Sequence, residues 1–63
     1  MSKQDIYEEI YQEIQAWQHF NKTNGVVYKS PKVEQKAFLR EQQMYNYPID
    51  VIKKATELYF KHK

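Results

Sequence analysis

The sequence predicts an all-α fold, a small three-helix domain with a short extended linker between its first two helices. Apolar residues recur at the three- and four-residue intervals of helices in three separate stretches. Only residues 26–28 have the β-branched and aromatic character of a strand, and so short a run makes no independent sheet. Because 63 residues without cysteine bury only a small core, we expect a single domain over residues 1–63.

The first helix is predicted over residues 3–19. Ser2 and Asp5 have the spacing of a capping box, in which two side chains satisfy backbone donors left unpaired at a helix start. One apolar stripe follows from that start, with Tyr7 and Tyr11 on its flank. The stripe consists of Ile6, Ile10, Ile14 and Trp17. We expect the helix to end at about His19 or Phe20.

A turn and the linker follow the first helix. Residues 21–25 concentrate turn-forming side chains and include the only glycine, which favours a change of chain direction. Residues 26–29 then form the predicted linker. Two arrangements fit them: a connector packed on the helices, or a strand that pairs with the same strand of a second chain.

The second helix is predicted over residues 31–45. Ser30 suits the N-cap position, and Pro31 suits the first helical position, where its missing N–H is not needed. Helix-forming side chains fill the segment, and Asn46 to Pro48 interrupts it. The apolar face was assigned to Val33, Ala37 and Met44, with Phe38 and Tyr45 beside it and Leu39 set apart.

The third helix is predicted over residues 48–61. Pro48 opens it, Asp50 lies in the first turn, and Lys61 to Lys63 lie at the end, so the charges complement the helix dipole. Its apolar stripe is Val51, Ile52, Ala55, Leu58 and Tyr59.

Charge is distributed unevenly along the chain. Residues 1–20 carry one lysine against four acids, a net charge of −3, whereas residues 21–63 carry nine basic residues against four acids, a net charge of +5. No apolar run exceeds three residues, which does not fit a secretion signal or a membrane span. We therefore expect a cytoplasmic protein that does not bind membranes.

The residue inventory argues against an enzyme. The chain has no cysteine nucleophile and too few glycines for a phosphate-binding loop. Neither His19 nor His62 has an acid or a second histidine at helical metal-ligand spacing. We expect no catalytic residues, no metal, no cofactor and no small-molecule substrate.

The aromatic content favours protein binding. Six tyrosines, three phenylalanines and one tryptophan exceed what so small a core hides, so some tyrosines should be exposed. We expect a small regulatory or inhibitory protein that binds a larger protein stoichiometrically, or self-associates, through an aromatic-rich helical surface. The lysine-, glutamine- and tyrosine-rich composition is typical of small bacterial or phage proteins. The candidate contact residues are Tyr7, Tyr11, Trp17, Tyr45 and Tyr47.

The alternative function is DNA binding by a transcriptional regulator. Residues 26–60 combine a short strand-like run, a Ser-Pro helix start, a break and a further helix, and in this order they resemble the ribbon-helix-helix family. The resemblance implies a dimer whose paired strands enter the major groove, with the start of the third helix on phosphate. The candidate nucleic-acid contacts are Tyr28, Lys29, Lys32, Lys36, Arg40, Lys53 and Lys54.

Overall fold

The computed structural model describes residues 3–42 and 46–61 and confirms the all-α fold. Three helices form in these ranges: α1 (Lys3–Thr23), α2 (Pro31–Glu41) and α3 (Ile49–Lys61), with no strand. The proposed cap at Ser2, the apolar positions Met44 and Tyr45, and the basic end at His62 and Lys63 lie outside the described residues.

Helix α1 ends at Thr23, four residues beyond its predicted end, so the turn predicted over residues 21–25 is wrong for its first three positions. Gly25 has a φ of +75°, a left-handed conformation that favours glycine. The N–H of Gly25 bonds the carbonyl of Lys22 at 3.2 Å, and the N–H of Val26 bonds that of Asn21 at 2.8 Å. These are the two hydrogen bonds of a Schellman cap. Gly25 therefore ends α1, and the turn-forming residues 21–23 belong to the helix, whereas Asn24 and Gly25 form the turn.

The start of α2 follows the prediction, but its end does not. Ser30 is the N-cap, and its Oγ accepts a hydrogen bond from the N–H of Val33 at 3.3 Å. Gln42 has left the helix, with extended backbone angles, although its N–H still bonds the Phe38 carbonyl at 2.8 Å. The predicted extension to residue 45 is thus wrong at Gln42, and residues 43–45 lie outside the described ranges. Helix propensity continued past this point, but the chain leaves the helix before the connection to α3.

Helix α3 begins one residue later than predicted. The carbonyl of Pro48 accepts hydrogen bonds from the N–H groups of Val51 and Ile52, at 3.1 and 3.2 Å. Pro48 therefore stands immediately before the helix, in the N-cap position, and Ile49 is its first residue.

The helices run up, down and up around a core that α3 completes. Tyr47, just before α3, contacts Glu9 near the start of α1, whereas Tyr59, near the end of α3, bonds Gln18 near the end of α1. Hence α3 runs parallel to α1, and α2 runs opposite to both. Helix α3 packs against both other helices, and the molecule measures 36 × 19 × 17 Å. The buried cluster consists of Ile10, Ile14, Phe38, Ile52, Ala55 and Phe60.

The observed core differs from the predicted stripes on α2 and α3. Val33 is exposed, whereas Leu39, which was set apart in the prediction, packs against the core. Phe60 and Thr56 are buried, but Leu58 and Tyr59 are only half-buried. Thr56 can be buried because its Oγ1 donates a hydrogen bond to the Ile52 carbonyl at 2.6 Å, which satisfies the hydroxyl. A pattern of apolar residues does not predict the burial of such a polar side chain.

Candidate protein-binding surface

The described aromatic residues among the proposed protein contacts pack against the core of the domain. Tyr7, Tyr11, Trp17 and Tyr47 are all half-buried and pack against the core, and Tyr45 lies outside the described residues. Ring centroids lie 6.4 Å apart for Tyr7 and Tyr11. Each of these four side chains therefore contributes to the fold, where aromatic contact adds to the burial of apolar area.

A line of rings joins α1 to α3. The ring centroids of Tyr11 and Tyr59 lie 5.7 Å apart. Those of Tyr59 and Phe60 lie 5.3 Å apart, in an edge-to-face contact. The hydroxyl of Tyr59 donates to Oε1 of Gln18 at 2.8 Å, and Nε2 of Gln18 donates to Oε2 of Glu34 at 3.3 Å. One glutamine on α1 thus links α3 to α2.

The five tyrosines in the described residues are partly exposed, and Tyr45 lies outside those residues. Each of the five is half-buried. The physical reason is that a tyrosine ring covers the edge of a small core while its hydroxyl stays with a polar partner, as when Tyr47 donates to a carboxylate oxygen of Glu9. This bond and the adjacent carboxylate charge, together with desolvation, raise the pKa of Tyr47.

Four of the five exposed large apolar side chains among the described residues lie within residues 20–33, from the last turn of α1 to the first turn of α2. We define the apolar patch as Phe20, Val26, Val27 and Val33, which are 65%, 42%, 89% and 45% exposed. Ile49, 58% exposed, lies at the start of α3, near the opposite end. The sequence analysis did not predict this patch, although for Phe20 the spacing contains a signal. The α1 stripe continues from Trp17 to position 21, which directs Phe20 away from the core.

The segment that carries the patch is fixed at three points. The Schellman cap holds its beginning, the Ser30 cap holds its end, and Tyr28 stacks on Trp17 in between, with centroids 5.6 Å apart. Trp17 in turn meets Phe38 edge-on at 5.4 Å. Residues 26–28 are therefore a connector packed on the helices within this chain, one of the two arrangements that the sequence allowed.

A groove of about 600 Å³ lies beside this segment, lined by the end of α1, the linker and the first turn of α2. Asn21 lines it, is 93% buried, and has an Nδ2 that forms no hydrogen bond to any described residue. The Asn21 side chain nevertheless lies beside the Tyr28 hydroxyl. The pKa of Tyr28 is raised chiefly by desolvation, and further by the carboxylates of Glu41 and Glu34. The interaction of the hydroxyl with Asn21 acts in the opposite direction and lowers this pKa.

The candidate nucleic-acid contacts lie on two different helices. Lys29, in the linker, and Lys32, Lys36 and Arg40, on α2, are all exposed and follow one another at helical spacing. Lys53 and Lys54 are exposed on α3, where Asp50 and Glu57 are exposed as well. Tyr28 is half-buried against Trp17. Helix α2 carries acids as well, Glu34 and Glu41, so both basic stretches are interspersed with carboxylates, and the row on the linker and α2 has the larger number of cations at regular spacing.

The opposite end of α1 is acidic. Asp5, Glu8, Glu9 and Gln12 line a shallow depression of about 360 Å³. Within residues 3–42 and 46–61, no three histidine, cysteine or acidic side chains are grouped so that they would hold a metal ion. In the same part of the chain, no helix has both the length and the apolar character needed to cross a membrane.

The fold and this surface define a small three-helix domain with an apolar patch beside a groove. Comparison with protein-family models, with curated protein sequences and with solved structures returns no match.

Proposed function

We propose that this protein is a small non-enzymatic regulator or inhibitor that acts by binding a larger protein stoichiometrically through the apolar patch. The observation that carries the proposal is the exposure of four large apolar side chains on one short stretch of chain, residues 20–33. Single exposed apolar residues are ordinary on protein surfaces, whereas a cluster marks a surface that gains stability when a partner covers it.

The fixed conformation of this stretch supports the proposal. Binding costs free energy when loops and side chains become ordered, so a surface that is already held in place binds with a smaller loss. Gly25, Ser30 and the stack of Tyr28 on Trp17 hold the stretch between α1 and α2. In this proposal Trp17 and the tyrosines position the contact surface, and the valines and Phe20 make the contact.

The proposal is tested with two variants that differ only in location. Val27→Asp places a charge in the apolar patch, and Ile49→Asp places the same charge on an exposed apolar side chain at the other end of the molecule. Each tagged protein is used to capture partners from a lysate of the host cell, and captured proteins are quantified by mass spectrometry. We expect Val27→Asp to reduce capture of the partner about tenfold, because a buried unpaired charge opposes association.

Ile49→Asp should capture as much partner as the unchanged protein. Both variants should retain helical circular dichroism and unfold within about 0.5 kcal/mol of the unchanged chain, because exposed positions contribute little to stability. Equal capture by the unchanged protein and Val27→Asp would contradict the proposal.

Nucleic-acid binding is a second candidate function, favoured by the exposed row of Lys29, Lys32, Lys36 and Arg40. If these cations meet phosphates, affinity for random duplex DNA falls steeply as salt is raised. We would measure mobility shifts over a salt series for the unchanged protein and for the double variant Lys32→Glu, Lys36→Glu. The absence of a shift at low salt would exclude this function.

A further inference from the structure

We propose that the groove beside the linker binds an extended, acidic segment of the partner protein, which pairs with the backbone of residues 27–29. The inference rests on the proposed function, since it specifies the part of a protein partner that the apolar patch contacts. It is carried by three observations on the same few residues: unpaired backbone groups, a surplus of hydrogen-bond donors, and exposed valines.

The backbone groups come first. The N–H of Val26 bonds the Asn21 carbonyl, and the Ser30 carbonyl accepts from Glu34, so both ends of the linker are engaged. Between them, the N–H groups of Val27, Tyr28 and Lys29 bond no carbonyl and no side chain of the described residues. An extended peptide that adds itself alongside as a strand pairs with alternate N–H groups, here those of Val27 and Lys29, because successive groups point to opposite edges, and its main chain supplies much of the affinity.

The groove offers more donors than acceptors. Lys22 and Lys29 line it, and the Nδ2 of Asn21, a side chain that is 93% buried, has no partner among the described residues other than the adjacent Tyr28 hydroxyl. Glu34 also lines the groove and keeps its negative charge, although one of its carboxylate oxygens accepts from Gln18, so two lysines stand against one acid among the lining residues. Carbonyl and carboxylate oxygens are the complement of such a set, and bonds to a charged group are the stronger ones. The groove therefore favours an acidic occupant.

The valines distinguish a protein from other anionic partners. Val27 is 89% exposed and Val26 is 42% exposed, directly beside these donors. A phosphate backbone satisfies the lysines but covers no apolar area, whereas a peptide that alternates acidic and apolar side chains does both. A second copy of this chain is disfavoured, because pairing two linkers brings Lys22 and Lys29 of each copy together.

The backbone pairing is tested in the capture experiment with substitutions at one position. Val27→Pro removes the unpaired N–H, and its ring suits the negative φ of this residue. Val27→Thr keeps the N–H and the β-branched shape. We expect Val27→Pro to capture about tenfold less partner, the effect of one lost hydrogen bond at an interface, and Val27→Thr to stay within about threefold of the unchanged protein. Equal capture by Val27→Pro and Val27→Thr would overturn strand pairing.

The chemistry of the occupant is tested by nuclear magnetic resonance with isotope-labelled protein. The probe is a terminally blocked peptide that alternates aspartate and valine, with the same peptide carrying lysine for aspartate as its control. We expect the aspartate peptide to shift the amide signals of residues 27–29 and the side-chain amide of Asn21, while leaving Ile49 unchanged. No shift at these positions, equal shifts with the lysine peptide, or stronger shifts with random duplex DNA would overturn the inference.

The two proposals fail in different ways. If the aspartate peptide does not bind but capture still depends on Val27, the acidic extended occupant is wrong and protein binding through the apolar patch stands. If capture does not depend on Val27, the proposed function itself is wrong, whatever the peptide does.

Discussion

The two connections between helices use their side chains in opposite ways. The first, from α1 to α2, turns Tyr28 inward onto Trp17 and leaves Val27 almost fully exposed. In the described part of the second, from α2 to α3, Tyr47 is half-buried and donates to Glu9 of α1. An aromatic residue anchors each connection, and the first also presents the exposed side chains of Val26 and Val27 to solvent.

The contrast shows that the number of aromatic residues in a chain does not by itself locate its binding surface. In this small domain aromatic rings take the places that aliphatic side chains take in larger cores. The core is too small to bury the rings completely, but it needs their apolar area for stability. The exposed surface is left to valines and one phenylalanine. In this domain the residues that hold the connections differ from those that are exposed to solvent. Substitutions can therefore test the two groups separately.

The largest effect is expected for Trp17→Ala, which removes the ring between Tyr28 and Phe38. Loss of this packing should lower the free energy of unfolding by about 3 kcal/mol, a large share of what a domain of this size has. Urea unfolding followed by circular dichroism measures it. Trp17→Phe, which keeps a ring at this position, should lose less than half as much. Equal losses for the two variants would show that ring stacking does not hold the first connection.

A smaller loss is expected for Gly25→Ala. The φ of +75° is unfavourable for a residue with a Cβ, although the surrounding space is open, so the loss is one of conformation and not of collision. We expect the free energy of unfolding to fall by about 1 kcal/mol. Gly25→Asn should lower the free energy of unfolding by less, because asparagine tolerates this conformation better than alanine. A stability unchanged by Gly25→Ala would mean that the Schellman cap does not hold the beginning of the first connection.

The smallest effect concerns the second connection and appears only at high pH. The hydrogen bond to Glu9 is the main cause that raises the pKa of Tyr47 above its ordinary value of 10.0. A raised folded-state pKa means that the stabilisation is complete below about pH 10 and is lost as pH rises through the folded pKa. The free energy of unfolding, measured across this pH range, should decline as pH rises, and the decline should be shallower in Tyr47→Phe.

Glu9→Gln separates the two anchoring tyrosines in the same titration. It should bring the pKa of Tyr47 back towards 10.0 while leaving that of Tyr28 raised, because desolvation is the main cause at Tyr28. Resonances of isotope-labelled tyrosine rings report each pKa separately. A parallel fall at both tyrosines would mean that Glu9 does not act locally.

Much of the fold was predictable because its signals are local. The Ile10 and Ile14 stripe, the Ser30 cap and the Pro48 break each depend on neighbouring residues, and each was confirmed in type. The end of α2 at Gln42 was not predictable, because the residues around it favour helix. The burial of Phe60 was missed since the α3 stripe was drawn one residue away from it.

The candidate surface was predictable only in part. In the sequence, this region is a run of polar, turn-forming residues followed by two valines, and that pattern predicts a turn and a linker. What the sequence did not reveal is that Tyr28 folds back on Trp17 and leaves its neighbour Val27 outside. Such a division depends on contacts between residues far apart in the chain, which local patterns do not encode.

Gln18 has a consequence for how the chain folds during its synthesis. Its amide oxygen accepts a hydrogen bond from the Tyr59 hydroxyl and its amide nitrogen donates one to Glu34, so both bonds form only when all three helices are present. The core likewise waits for Ile52, Ala55 and Phe60, which reach back across more than half of the chain to Ile10 and Ile14. A nascent chain that lacks α3 therefore exposes the apolar side of α1 on the ribosome, and the folding of this domain begins late in its translation.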